Sequence, residues 1–221
     1  MPGYIDLVHE NYMHARTARW DDIARHLDVW TGWGDYYHRH IHKIYQFLVR
    51  PGQRILELGC GRGDLLASLQ ASEGTGIDFS AEMIARARHR HPELRFIHAD
   101  VHDLSGIEGP FDVIIASDLV NDVWDVQTVI QQLTRLSTPR TRLLINTYNP
   151  LWELPLTVAD HLGLARPTLS QNWLTIDALD NLLKLSDFTI VRHWAEILLP
   201  LPIPGLAELC NRYLVKTWPL R

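Results

Sequence analysis

Two cysteines in 221 residues, Cys60 and Cys210, are too few for a disulfide framework or a thiolate metal cluster. The chain also lacks any run of like charges, and its formal net charge of −5 excludes a nucleic-acid binder that relies on a basic face. No apolar stretch approaches the length of a membrane span. The opening MPGYIDLVHENYMHARTARW has neither the apolar core nor the small-residue cleavage site of a signal peptide. Internal repeats and low-complexity tracts are absent. These absences lead to the expectation of a soluble, cytoplasmic protein with small or neutral partners, no nucleic acid and no transmembrane segment.

What is present is a chain with 46% hydrophobic residues, enough for one sizeable core. Residues 1–52 read as an N-terminal helical cap. Its first helix is predicted from an N-cap at Thr17, with Trp20, Ile23, Ala24, Leu27 and Trp30 on one face. A second follows Gly34, carries Tyr37, Ile41, Ile44, Tyr45 and Leu48, and stops at Pro51-Gly52. From residue 53 to 200, strand-like runs at 54–58, 73–78, 94–99, 111–117, 141–148 and 188–198 alternate with helical patterns at 63–71, 80–91, 125–137 and 175–186. That alternation predicts an α/β fold, a doubly wound, mostly parallel sheet with helices on both faces. Residues 201–221 form an amphipathic extension whose stripe of Leu206, Leu209, Cys210, Tyr213 and Leu214 reads as a core helix, a cover over an acceptor or a membrane-touching surface.

The stretch ILELGCGRGDLLASL, residues 55–69, runs a strand into three alternate glycines and straight on into a helix. A turn built from Gly59, Gly61 and Gly63 brings backbone close to a ligand, and the helix start offers free N–H groups to a carboxylate or a phosphate. The third glycine comes one residue too early for a dinucleotide fingerprint, and no Gly-Lys-Ser/Thr follows as in a Walker loop. Asp78 ends the second strand in GTGIDFS, placed to accept from both hydroxyls of a ribose. Asp100 ends the third in FIHADVHDL, placed to meet an adenine amino group.

ILELGCGRG, GIDFS, HADVHDL and FDVIIASD, in that order, resemble the motif series of class I S-adenosylmethionine-dependent methyltransferases. The resemblance implies a Rossmann-like core with S-adenosyl-L-methionine as cofactor. It places the backbone around Gly59, Cys60 and Gly61 against the amino-acid part of the cofactor and gives Glu57 the turn or the amino group. Asp78 then binds the ribose, Phe79 and Met83 flank the adenine, Asp100 and Val101 read its edge, and Ser117 closes the site. The family's sheet usually ends in an antiparallel seventh strand; the expectation here is that this strand is missing from the chain.

A hydroxyl acceptor needs a base within hydrogen-bond reach. SDLVNDVWD, after the fourth strand, offers Asp118, Asn121 and Asp122 as catalytic candidates. Two carboxylates without a third protein oxygen make a weak metal site, and no metal is assigned. In YYHRHIHK, His38 and His42 share one helix side, and Tyr36, Tyr37 and His38 are candidates to lid the cofactor. The segment from Pro150 to Leu174 and the proline-rich tail resemble, more narrowly, bacterial methyltransferase domains joined to family 2 glycosyltransferase domains. That likeness implies a small-molecule acceptor bearing a sugar or glycolipid hydroxyl and linkage to a glycosyltransferase domain. The rival readings are an NAD(P)-dependent oxidoreductase and an inactive cofactor-binding scaffold.

Overall fold

The computed structural model describes residues 4–26, 34–148, 153, 157, 171–199, 203 and 205–215. Two helices, α1 (Tyr4–His26) and α2 (Gly34–Leu48), precede β1 (Arg54–Leu58), α3 (Asp64–Ala67), β2 (Glu73–Asp78), α4 (Ala81–Arg90) and β3 (Arg95–His98). Then come β4 (Val113–Ser117), α5 (Val126–Thr134), β5 (Arg142–Asn146), α6 (Ile176–Lys184) and a short α7 (Leu206–Leu209) that continues as a π-helical turn, Cys210–Leu214.

All five strands are parallel, in the order β3-β2-β1-β4-β5. Order reverses between β1 and β4, so their carboxyl ends open the crevice in which such sheets place ligands. Strand alternation sorts the core into two layers. Leu56 and Leu58 of β1, with Ile114 and Ala116 of β4, pack under α5 and α6. Ile55, Val113 and Ile115 face the opposite way, toward α3, α4 and the buried stripe of α2, which includes Ile41 and Tyr45. Helix starts are fixed locally: Ser80, Asp125 and Thr175 each accept from a backbone N–H three residues on, at α4, α5 and α6.

Three expectations need correction. The first helix does not begin at Thr17 but runs back to Tyr4, because Tyr12 and Arg16 are drawn onto the loop after β4. Residues 188–198 form no strand despite their apolar run; Phe188 and Ile190 pack against the α5–α6 layer and Ile197 against the α2 layer. The C-terminal stripe is not a core helix: Leu206, Leu209, Tyr213 and Leu214 are 43–57% exposed, and Ala207 and Val215 are the buried positions. No antiparallel strand occurs among the described residues. Most of the segment from Pro150 to Leu174, together with Trp30, lies outside them, and no described helix is long and apolar enough to cross a membrane.

Candidate active site

Because the strands are parallel, Gly59, Asp78, Asp100, Asp118 and Asn146 all fall at or just past the carboxyl ends of the sheet. Glu57, buried in β1, accepts from the Leu66 backbone N–H at 3.1 Å and so ties the glycine turn to α3. Burial pushes its carboxyl well above the usual range. Gly63 caps α3 with φ of 76°, and an added Cβ there would lie 2.4 Å from the Phe96 ring. Gly61 has φ of 51° and nothing within 4 Å of an added Cβ, so this side of the turn is open. Cys60 turns its thiol into the core against Gly76, and burial raises that thiol's pKa, which argues against a nucleophile.

Asp78 is 7% exposed and takes backbone N–H donors on both oxygens, Gly61 at 2.9 Å and Ser80 at 2.9 Å. Burial raises its pKa against those two bonds. The Cys60 N–H is likewise spent, on the Ile77 carbonyl at 2.9 Å. The turn thus uses two of its amides to brace itself and to aim the Asp78 carboxylate. Phe79 is half-buried, whereas Met83 and Val101 are 3% exposed. At the third strand tip Asp100 accepts from the His102 backbone at 2.9 Å and from its ring Nδ1 at 2.6 Å. Burial opposes ionisation of Asp100, but the bonds from His102 outweigh it and hold the carboxyl below its ordinary value. The far nitrogen of His102 accepts from the Asp125 N–H at 3.1 Å. His9 of α1 stands beside this pair, its ring 5.9 Å from that of His102 and its Nε2 buried without a hydrogen-bond partner, while both His102 nitrogens are already committed.

The three catalytic candidates part company. Asp118, just past β4, has a left-handed backbone with φ of 55°, uncommon for a residue with a side chain. Its Oδ1 accepts from the Tyr37 hydroxyl at 2.6 Å and from Asn146 Nδ2. Burial lifts its carboxyl to about 6 in spite of these two donors. Asn121 is fully buried, and its amide joins Thr147, Tyr148 and the Asn172 carbonyl. Asp122 holds the cap: its carboxylate takes the Trp20 indole N–H at 2.9 Å and pairs with Arg16, and its carbonyl accepts from Tyr12 and Arg16. Ser117 pairs in register with Asn146 of β5. Tyr37, anticipated as part of a lid, meets Asp118 directly, and Tyr45 of the same helical face reaches Asn146, while Asn146, His102 and Arg16 are site neighbours that periodicity did not single out.

The fold and the family match place the chain among class I methyltransferases, whose cofactor is S-adenosylmethionine. The methyltransferase domain family matches residues 50–185, more than half of the chain, and the chain belongs to that family. The demethylmenaquinone methyltransferase of Beutenbergia cavernae is 32% identical over 107 residues, 47% of this chain and 44% of that protein. The chain spans about half the length of the first curated relatives it matches. Among solved structures, an S-adenosylmethionine-dependent methyltransferase of Mesorhizobium loti aligns with a TM-score of 0.59 and 25% identity over 73% of this chain and 87% of its own. The methyltransferase in complex with the Haloferax volcanii Trm112 activator shares the fold, with a TM-score of 0.69 and 17% identity over 89% of this chain and 93% of its own.

Proposed function

We propose that the protein methylates a hydroxyl of a small-molecule acceptor, with Asp118 as general base. Bound S-adenosylmethionine supplies an already activated methyl group. The chain's own task is then to hold two reactants in line, keep water out and take a proton. The residues fit the cofactor on two counts: the open outer side of the turn at Gly61, and the Asp78 carboxylate braced by Gly61 and Ser80. Asp78 holds the ribose, Asp100 and Val101 the adenine edge, and Phe79 and Met83 its flanks; Glu57 keeps the glycine turn in shape. Asn121 and Asp122 serve as positioning residues, for the loops beyond β4 and β5 and for α1.

The observation that carries this reading is Asp118: a half-buried carboxyl lifted to about 6, on strained backbone, past the tip of the strand next to the glycine turn. Strain and a raised carboxyl together are features of residues kept for chemistry. For the acceptor, Tyr37 and Tyr148 lie 6.1 Å apart, tilted by 34°, beside Asp118, which favours a ring-borne hydroxyl. A relative named for demethylmenaquinone is compatible with an acceptor that carries a ring. A sugar or lipid-linked glycan hydroxyl, with a glycosyltransferase partner domain, is the second acceptor class, favoured by the sequence likeness of Pro150 to Leu174.

The test has two arms. Calorimetry should detect S-adenosylhomocysteine and no NAD(P) binding. Transfer of a labelled methyl group from S-adenosylmethionine should then be assayed on hydroquinones and on methyl glycosides, with wild type and Asp118→Asn. Absence of S-adenosylhomocysteine binding, or full activity of Asp118→Asn, would sink the proposal.

A further inference from the structure

We propose that Tyr37 and Asn146 are positioning residues for the base: they hold Oδ1 of Asp118 and leave Oδ2 to receive the acceptor's proton. This rests on the reading of Asp118 given above. The three residues come from three separate elements. Tyr37 lies on α2, Asn146 ends β5 and Asp118 follows β4. Both donors converge on the same oxygen, and no described donor reaches the other.

The orientation of the Asn146 amide is set from behind. Tyr45, one of the buried residues of α2, donates to Asn146 Oδ1 at 2.7 Å, which leaves Nδ2 turned toward Asp118. The same Nδ2 lies 3.3 Å from the Tyr37 hydroxyl, so that hydroxyl accepts from Asn146 while donating to Asp118. A chain of this kind has one consistent arrangement of donors and acceptors. It fixes a carboxylate already held in an unusual backbone conformation, so the free oxygen points in one direction. In the reaction the acceptor O–H bond breaks, its proton goes to Oδ2, and the acceptor oxygen keeps the electron pair.

The ionisable groups facing Asp118 are phenols: Tyr37 and Tyr45 from α2, and Tyr148 beyond β5. Burial raises all three above their ordinary values, so they stay neutral at physiological pH. Among the described residues no cation pairs with Asp118, and the charged carboxylate depends on its two donors. Removing either donor disfavours the charged form and raises the pKa.

The experiment reads the carboxyl directly. Full-length protein labelled with ¹³C at the aspartate carboxyl is titrated by NMR, with Asp118→Asn identifying the resonance. Tyr37→Phe and Asn146→Ala should each move the Asp118 midpoint up by about one pH unit, a tenfold fall in the ratio of charged to neutral form at fixed pH, while S-adenosylhomocysteine affinity stays within twofold. Asn146→Gln, which keeps a donor, should restore part of the shift. An unchanged midpoint in folded Tyr37→Phe and Asn146→Ala would overturn the positioning role and leave the base itself standing; the Asp118→Asn methyl-transfer assay tests the base separately. Asn146→Ala keeps the question decidable where Tyr37→Phe does not fold.

Discussion

Arg16 of the first helix and Asp122 beyond the fourth strand meet across 106 residues of sequence, the guanidinium Nε donating to the Asp122 carbonyl at 2.8 Å and Nη2 lying 3.4 Å from its carboxylate. Arg16 is 2% exposed and Asp122 17%. With the Trp20 indole on the same carboxylate and the Arg16 guanidinium 4.0 Å over the Tyr12 ring, this cluster latches α1 to the loop after β4. Beside Asp78 a second contact, the Ser80 hydroxyl donating to Asp21, ties the same helix to the start of α4.

Asp122→Ala takes a carboxylate away from the buried Arg16 guanidinium and an acceptor away from the Trp20 indole. Losing one partner of a buried pair costs about 3–5 kcal/mol, and urea unfolding should show a loss of that order. Asp122→Asn keeps an acceptor for Trp20 and should lose less. An Asp122→Ala protein as stable as wild type would remove Asp122 from this structural role.

Asp118→Asn should lower turnover by about 10²–10⁴, the usual share of a general base, with cofactor affinity spared. Its effect on stability has the opposite sign. Burial lifts the folded carboxyl to about 6 from its ordinary 3.8, so the folded state binds the proton more tightly than the unfolded chain. The stabilising contribution is complete below pH ~4 and is lost as pH rises through about 6, by about 3 kcal/mol for a shift of about 2 units. Thermal melts between pH 4 and pH 8 should show this decline in wild type, and Asp118→Asn should flatten it and melt higher at neutral pH.

Gly61→Ala and Gly63→Ala separate binding from folding. Both positions have positive φ, at about 1–2 kcal/mol for a residue with a Cβ. At Gly63 the new methyl group also strikes the Phe96 ring, whereas at Gly61 it projects into open space. Gly63→Ala should therefore fold poorly. Gly61→Ala should fold with a modest loss yet bind S-adenosylhomocysteine at least tenfold more weakly, as read by calorimetry beside a melting curve.

Asp78→Ala should weaken S-adenosylhomocysteine by about 1.5–3 kcal/mol, the range for hydrogen bonds to a charged group. It also strands the Gly61 and Ser80 amides, so part of the loss will appear as lower stability. Asp78→Asn keeps one acceptor oxygen and should fall between the two. Unchanged affinity in folded Asp78→Ala would remove the ribose assignment.

What the sequence made legible follows the range of the interactions concerned. The bounds of β1 and β2 are read from RILEL and EGTGID because strand period, turn glycines and the terminal carboxylate act over a few residues. The capping of α5 by Asp125 and α6 by Thr175 is local in the same way. The start of α1 was not, since Tyr12 and Arg16 make an unremarkable polar stretch until Asp122 is brought beside them. Residues 188–198 show the reverse error: an apolar run marks burial, and Phe188, Ile190 and Ile197 obtain it without strand pairing. Within the site, the D-x-H spacing of Asp100 and His102 is a local signal of their pairing, whereas the Tyr37–Asp118 bond, 81 residues long in sequence, has no local signature.

The attachments of α1 also order events in time. The helix leaves the ribosome before the residues that anchor it, since Ser80 follows Asp21 by 59 residues and Asp122 follows Tyr12 by 110. At about 5–20 residues per second, the nascent segment waits several seconds or longer for anything to hold. The tips of β1 to β4 all precede Asp122 in the chain, so they are made before that end of the helix has its partner.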